Sequence, residues 1–281
     1  MITVDLFGGI GNQMFQYAFG RHLSIKNKVP LTLLHIDVGA FSRRPYALGC
    51  FKLTPKVKVV LGDQRTALWR KLKTFIGGGE IVAREKGLTF DPNILDLKGD
   101  AHLHGYWQSE KYFKDIRSVI LEDFTFIKPL SSRNQKILGS VQKTNSVSVH
   151  VRRGDYVIDP KTKNFHGICS PDYYRKAFEV ISKTVSNPIF YFFSDDIAWV
   201  KKNIKTKYEN IYVSWNTGEK SYVDMQLMSN CKHNILANSS FSWWGAWLNL
   251  NPGKIVVAPK EWFQDPAADT GDLIPSGRIK I

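Results

Sequence analysis

His150, Arg152, Arg153 and Asp155 fall within six residues at the end of an apolar run, Val147-Ser148-Val149-His150-Val151. A strand's period of two puts Val147, Val149 and Val151 on one face and His150 and Arg152 on the other. The two arginines then stand at the carboxyl end of that strand, the edge where open α/β sheets bind ligands. A guanidinium is a planar fork of donors that stays charged at any workable pH, and it suits phosphate oxygens. Asp155 can orient one guanidinium through an ion pair. The same residues also suit a plain surface ion pair at a strand end, and His150 taken alone suits a structural role.

Three further stretches carry chemistry-bearing residues. Gly8-Gly9-Ile10-Gly11-Asn12-Gln13 is a glycine turn between a strand and a helix. It lets a ligand approach the backbone, and a helix N-terminus favours negative charge. Met14 breaks the G-x-G-x-x-G spacing, and the stretch is not a P-loop. It also reads as a tight turn with no ligand, although the amides of Asn12 and Gln13 exceed what such a turn needs. Asn238-Ser239-Ser240-Phe241 follows an apolar strand and opens a helix. Its hydroxyls and backbone N–H groups suit a phosphate, or simply a helix cap. Trp243, Trp244 and Trp247 just after it read as packing. Ser194-Asp195-Asp196 follows Ile189–Phe193; an acidic pair there could bind a metal, but the simpler reading is a helix cap. The chain holds no D-x-D triplet.

These motifs sit on a repeated alternation of strand and helix. Ile2–Phe7 reads as a strand, followed by a helix whose Phe15, Phe19 and Leu23 share a face, then a strand at Leu31–Leu34. His102–Trp107 suits another strand. The second half predicts strands at 147–151, 189–193, 234–237 and 255–258, and helices at 171–182, 195–204, 223–231 and 243–250. Residues 62–80, basic and ending in Gly77-Gly78-Gly79, read as an excursion from the fold. Alternation of this kind predicts an α/β fold with parallel sheets covered on both faces. The stretch Phe126–Ser132 reads as a linker, which divides the chain into 1–126 and 127–281.

Composition narrows the class. The 281 residues are 43% hydrophobic and 23% charged, as a packed globular chain requires. The formal charge of +14 favours anionic partners: phosphorylated substrates, nucleic acid or an anionic membrane surface. No run of Lys or Arg resembles a nucleic-acid arm, the denser basic patch being Arg65, Arg70, Lys71 and Lys73. Cys50, Cys169 and Cys231 stand too far apart for a disulfide framework, and the opening strand shows no leader pattern. A cytoplasmic location is expected, with the charge allowing contact with the inner membrane face.

His150-Val-Arg152-Arg153-Gly-Asp155 resembles the H-x-R-R-x-D motif shared by α-1,2-, α-1,6- and protein O-fucosyltransferases. Gly8–Gln13 with Met14-Phe15-Gln16-Tyr17-Ala18 resembles the opening of the α-1,2 group, and Asp224 with Asn238-Ser239-Ser240-Phe241 its third motif. The likeness runs from residue 5 to about 263. It implies two Rossmann-like domains of the GT-B type with their parallel sheets facing across a cleft, 1–126 on the acceptor side and 127–281 holding a GDP-fucose donor. It also implies transfer of fucose with inversion and without a metal or other cofactor. A terminal β-galactoside, as in a bacterial surface polysaccharide, fits as acceptor. Arg152 would grip the β-phosphate with help from Arg153, and His150 and Asp224 would contact the nucleoside. Ser239, Ser240 and the Phe241 backbone would complete the diphosphate cradle, with Asn12 near it from the N-terminal half. An inverting displacement calls for a base near the acceptor hydroxyl. Asp155 ranks first, followed by His166 and Asp159, and a reaction with no base stays open. The other readings are a transferase for another GDP-sugar or linkage, and a non-catalytic anion- or RNA-binding protein.

Overall fold

A computed structural model of the chain describes residues 1–36, 44–54, 57–62, 81–154, 164–265 and 268–281. They form two compact units. Unit 1 is Met1–Ile127 with Gly271–Pro275, and unit 2 is Lys128–Thr270 with Ser276–Ile281. Gly271–Pro275 therefore packs outside the second half to which its place in the chain would assign it. One anchor is Asp272, whose backbone carbonyl and carboxylate accept hydrogen bonds from Ser109 Oγ (2.8 Å) and Phe90 N (3.0 Å).

Unit 1 is built on a parallel sheet in the order β3-β2-β1-β5-β4. Its strands are β1 (Ile2–Asp5), β2 (Leu31–Ile36), β3 (Val57–Gly62), β4 (Ile81–Arg84) and β5 (Ala101–His104). Helix α1 (Ile10–Asn27) packs on it, and the short α2 (Arg117–Asp123) follows β5. β1 stops two residues short of the expected Phe7, because Phe7 N already donates to Gln16 Oε1 of α1 (3.1 Å) as the chain turns into the helix. Phe15, Phe19 and Leu23 are all buried, but so are Met14, Tyr17, Gln13 and Gln16, so α1 is covered on almost every side. Its buried amides are used in full. Gln13 donates to the carbonyls of Gly8 and Pro45 and accepts from Ala47 N, and Gln16 Nε2 donates to Gly105 O (3.2 Å).

Unit 2 has a six-stranded parallel sheet, β11-β10-β9-β6-β7-β8. The strands are β6 (Ser146–Val151), β7 (Ile189–Ser194), β8 (Asn210–Val213), β9 (His233–Ile235), β10 (Val256–Ala258) and β11 (Ile279–Lys280). The helices are α3 (Ser132–Lys143), α4 (Pro171–Ser182), α5 (Ile197–Asn203), α6 (Tyr222–Asn230) and α7 (Ser240–Trp247). Val147, Val149 and Val151 face a core with Tyr174, Ala177, Phe178 and Ile181 of α4, as the period-two pattern requires. The opposite face is polar yet equally buried. There Ser148 Oγ accepts from Asn234 Nδ2 (2.7 Å), and Asn234 accepts in turn from Asn249 (2.7 Å). Trp243, Trp244 and Trp247 are buried against one another, so they are packing. Among the described residues no helix is long and apolar enough to cross a membrane.

Helix α1 approaches β1 so closely that a Cβ on Gly20 would lie 2.3 Å from Val4 Cγ2 and 3.0 Å from Leu31 Cδ1. Gly20→Ala should therefore destabilise by about 1–3 kcal/mol through overpacking, outweighing the roughly 0.5–1 kcal/mol that alanine gains in a helix interior. Urea unfolding checks this; a variant as stable as the parent would show that the contact relaxes freely.

Candidate active site

The parallel register of β6 and β7 sets the geometry at their carboxyl ends. Val151 stands opposite Ser194, so the next residues on each strand, Arg152-Arg153 and Asp195-Asp196, emerge side by side. Arg152 Nη1 pairs with Asp195 Oδ2 at 2.9 Å, and Arg153 Nε with Asp196 Oδ2 at 3.1 Å. Asp195 Oδ1 also accepts from Arg153 N (2.9 Å). The Arg153 guanidinium lies 3.8 Å over the Trp199 ring, which is carried by α5. Gly154 is needed beside this clasp, since a Cβ there would meet Asp195 Oδ2 at 2.6 Å.

The acidic pair thus divides its work. Asp196 caps α5 by accepting from Trp199 N (3.0 Å), as a helix-cap reading predicts. Asp195 is not part of that cap; it orients Arg152, the role the sequence suggested for Asp155. Asp155 and Asp159 lie outside the described residues. Trp199 went unnoticed because cation–π partners leave no spacing signature when they stand on different elements.

His150 is buried, with its ring 5.4 Å from that of Phe241 at 37°. Burial, and secondarily the charge of Arg152, pushes its pKa down to about 3, so the imidazole is neutral at any ordinary pH. Its Nδ1 has no hydrogen-bond partner among the described residues. A satisfied structural histidine does not leave such an atom. Phe241 belongs to the first turn of α7, directly after Ser240. Ser239 occupies the N-cap position in extended backbone (φ −141°, ψ 128°), and its side chain makes no capping bond. The first-turn N–H groups of a helix lack intrahelical partners, and the Ser239 side chain does not cap them.

Asp224 stands in the first turn of α6. It accepts from Asn216 Nδ2 at 2.7 Å. Burial pushes its carboxyl up to about 7, against the downward pull of that hydrogen bond. Asn216 is held in turn by Asn134 (2.9 and 3.1 Å), and Trp215 Nε1 donates to the same Asn134 (2.8 Å). The Arg133 guanidinium lies 3.5 Å from the Trp215 ring centre.

His166 packs edge-on to Phe165 (5.0 Å) and against Phe263 (5.3 Å). Its backbone carbonyl accepts from Asn238 Nδ2 (2.7 Å), which ties this segment to the residue before Ser239. Asn12 lies in unit 1 at the start of α1, where its Oδ1 accepts from Gln108 Nε2 (2.8 Å). Among the described residues no three His, Cys, Asp or Glu side chains converge to hold a metal ion.

Two units on parallel sheets, with paired arginines at the carboxyl edge of the second, define a GT-B-type α/β architecture. Fucosyltransferase NodZ from Bradyrhizobium shares this fold, with a TM-score of 0.53 and 13% identity over 87% of this chain and 90% of its own. The family model of glycosyl transferase family 11 matches residues 1–273, and the chain belongs to that family. An alpha-1,2-colitosyltransferase of Escherichia coli is 34% identical, over 100% of this chain and 99% of its own. The O-antigen biosynthesis glycosyltransferase WbnK of Escherichia coli is also 34% identical, over 92% and 93%. The galactoside alpha-(1,2)-fucosyltransferase 2 of Pongo pygmaeus is 32% identical, over 88% and 68%. The protein is a glycosyltransferase, and the likeness read from its three motifs is a family likeness.

The raised carboxyl of Asp224 has a consequence for stability. Its ordinary value is 3.8 and its folded value about 7, so the folded state holds the proton more tightly. The resulting stability is complete below about pH 4 and is lost as pH rises through 7. Asn accepts from Asn216 as well but does not ionise. Asp224→Asn should thus gain on the parent in Tm as pH rises from about 4 to 8. A Tm difference that stays constant over this range would remove the burial argument.

Proposed function

We propose that the protein transfers L-fucose from GDP-fucose to the 2-hydroxyl of a terminal β-galactoside, with inversion and without a metal ion. The observation that carries this reading is the pair of arginines clasped by Asp195 and Asp196. Breaking the sugar–phosphate bond leaves negative charge on the β-phosphate, and preorganised donors stabilise it most. Arg152 would meet that phosphate, with Arg153 in support. Ser239, Ser240 and the Phe241 N–H, at the uncapped N-terminus of α7, would complete the cradle. His150, neutral because of its burial, suits the uncharged nucleoside rather than a phosphate, and Asp224 suits a donor group of the base. Asp195 and Asp196 are committed to the arginines and the α5 cap, which supports their not being metal ligands. A NodZ structure soaked with GDP-fucose shares the fold, and an orangutan relative acts on galactosides through an α-(1,2) linkage.

A second donor has a specific observation in its favour, the 34% identity over the whole chain to an alpha-1,2-colitosyltransferase. Colitose is fucose without its 3-hydroxyl, so the two donors differ by one polar group. A site built to hydrogen-bond that hydroxyl rejects the analogue lacking it far more strongly than an apolar site rejects the hydroxyl. The +14 charge is consistent with work at the inner face of a membrane, where lipid-linked acceptors would be met.

Side-by-side transfer assays with GDP-fucose and GDP-colitose on a β-galactoside panel, with the product linkage determined, test the reading. GDP should raise Tm well beyond UDP at equal concentration, and transfer should survive excess EDTA. Equal shifts from the two nucleotides, or activity that returns only with Mn²⁺ or Mg²⁺, would sink it.

Arg152→Ala should lower kcat by about 10²–10³-fold. Asp195→Asn leaves the cation but frees it from its guide, and should lose about 10–10²-fold by misplacement. Near-normal turnover in Arg152→Ala, with only Tm lowered, would make the clasp structural.

A further inference from the structure

Within unit 2, the polar side chains behind Asp224 form a chain whose direction is fixed at its far end. Asn134 comes from the first turn of α3, and Trp215 and Asn216 follow β8. An indole N–H is a donor only. Trp215 Nε1 donates to Asn134 Oδ1 (2.8 Å), so the Asn134 amide has one possible orientation. Its Nδ2 then donates to Ser131 Oγ (3.1 Å) and to Asn216 Oδ1 (2.9 Å), while its Oδ1 accepts a second bond from Asn216 Nδ2 (3.1 Å). The two amides pair reciprocally. Turning Asn216 alone would set N–H against N–H and oxygen against oxygen. Its other N–H is thereby aimed at Asp224 Oδ1, 2.7 Å away.

Asn134 and Asn216 are both buried, and every N–H of their two amides is spent. A buried network satisfied in this way is rigid and specifies one arrangement. The Arg133 guanidinium covers the ring of the indole that starts it. The consequence falls on Asp224. Its Oδ1 always meets a donor, so the carboxylate is held in one orientation. Oδ2 accepts from no group among the described residues, and Oδ1 keeps a second lone pair. Two oxygens presented as acceptors match an edge that carries two adjacent donors. Guanine has such an edge, its ring N1–H beside its exocyclic amino group. Adenine and uracil set an acceptor beside the donor, and hypoxanthine lacks the amino group. Bases are told apart by hydrogen bonds to this edge.

We propose that Trp215, Asn134 and Asn216 are positioning residues that act on Asp224 as a one-way relay, and that Asn216 thereby sets the preference of the nucleotide site for guanine. The proposal rests on the GDP reading above, in which Asp224 meets the base. Asn216 touches no ligand in this scheme; it fixes which way the carboxylate faces. A site built to hydrogen-bond a donor discriminates strongly against analogues that lack it, and that discrimination depends on the acceptor being held in place. Removing Asn216 leaves the Asp224 carboxylate free to turn. Replacing it with Asp sets a second oxygen against Oδ1, and reverses the sign of the last contact in the relay.

The test is calorimetric titration of the full chain with GDP, IDP, UDP and inorganic pyrophosphate. The wild type should bind GDP most tightly. Asn216→Ala and Asn216→Asp should each weaken GDP by about 10–10²-fold, the loss expected when a hydrogen bond to a charged group fails. Binding of UDP and pyrophosphate should stay near the wild-type level, so the variants lose base preference and not the diphosphate site. Trp215→Phe keeps a ring beneath Arg133 but removes the donor that sets the direction, and should lose a smaller part of the same preference. Should the Asn216 variants fail to fold, Trp215→Phe decides, and an undiminished preference for GDP in it overturns the relay. Full GDP preference in folded Asn216 variants overturns the relay and leaves the GDP reading standing. Equal weakening of all four ligands makes Asn216 structural and overturns it too. A wild type that binds GDP no better than UDP defeats the GDP reading itself, and the relay with it.

Discussion

Two consecutive arginines at a strand end repel one another, and each loses hydration as the chain packs around it. The parallel register of β6 and β7 resolves both problems at once, because it delivers two consecutive aspartates to the same edge. With Arg152 at 24% and Asp195 at 28% exposure, the pair is partly open to water. Its worth as a contribution to folding is correspondingly modest. Its larger effect is geometric. A guanidinium anchored at one terminal nitrogen keeps its remaining donors in a defined plane, which is what recognition of a phosphate requires. Trp199 then holds the Arg153 guanidinium from its face, and the absence of a Cβ at residue 154 leaves room for the Asp195 carboxylate.

The rest of unit 2 is organised around this charged edge by polar groups buried with partners. The face of β6 that turns away from the valine core is held by Ser148, Asn234 and Asn249 in a chain of short hydrogen bonds. His150 extends that face toward the arginines but ends with an Nδ1 that has no partner among the described residues. Asp224, half-buried, accepts from Asn216 Nδ2 against the cost of removing its carboxyl from water. A buried polar atom without a partner is costly unless a ligand completes it. Both residues lie in the sequence motifs that the family likeness rests on.

Unit 1 spends its motif differently. Of the amides after the glycine turn, Gln13 and Gln16 are consumed in tying α1 to the loops around residues 8, 45–47 and 105. Asn12 accepts from Gln108, at the same sheet edge as β5. The amide-rich opening is thus largely a device for docking α1.

Local periodicity in the sequence was enough to determine the α/β class, the central strands β1, β2, β6 and β7, the helix α4 and the valine face of β6. Each of these is encoded by spacings of two to four residues within one apolar segment. The strands that left no such trace are β3, β4, β8 and β11, the outer strands of the two sheets. β3 shows why: most of its residues stay partly or fully exposed, so no apolar run marks it. The motifs likewise announced the arginines, Ser239, Asp224 and the glycine turn. Tertiary structure alone decided which groups meet. Arg152 and Asp195 are 43 positions apart, and Asp5 and His104 are 99 apart. Such contacts follow from strand order and register, which are set by the burial of whole sheets and leave no signature in the spacing of the residues they join.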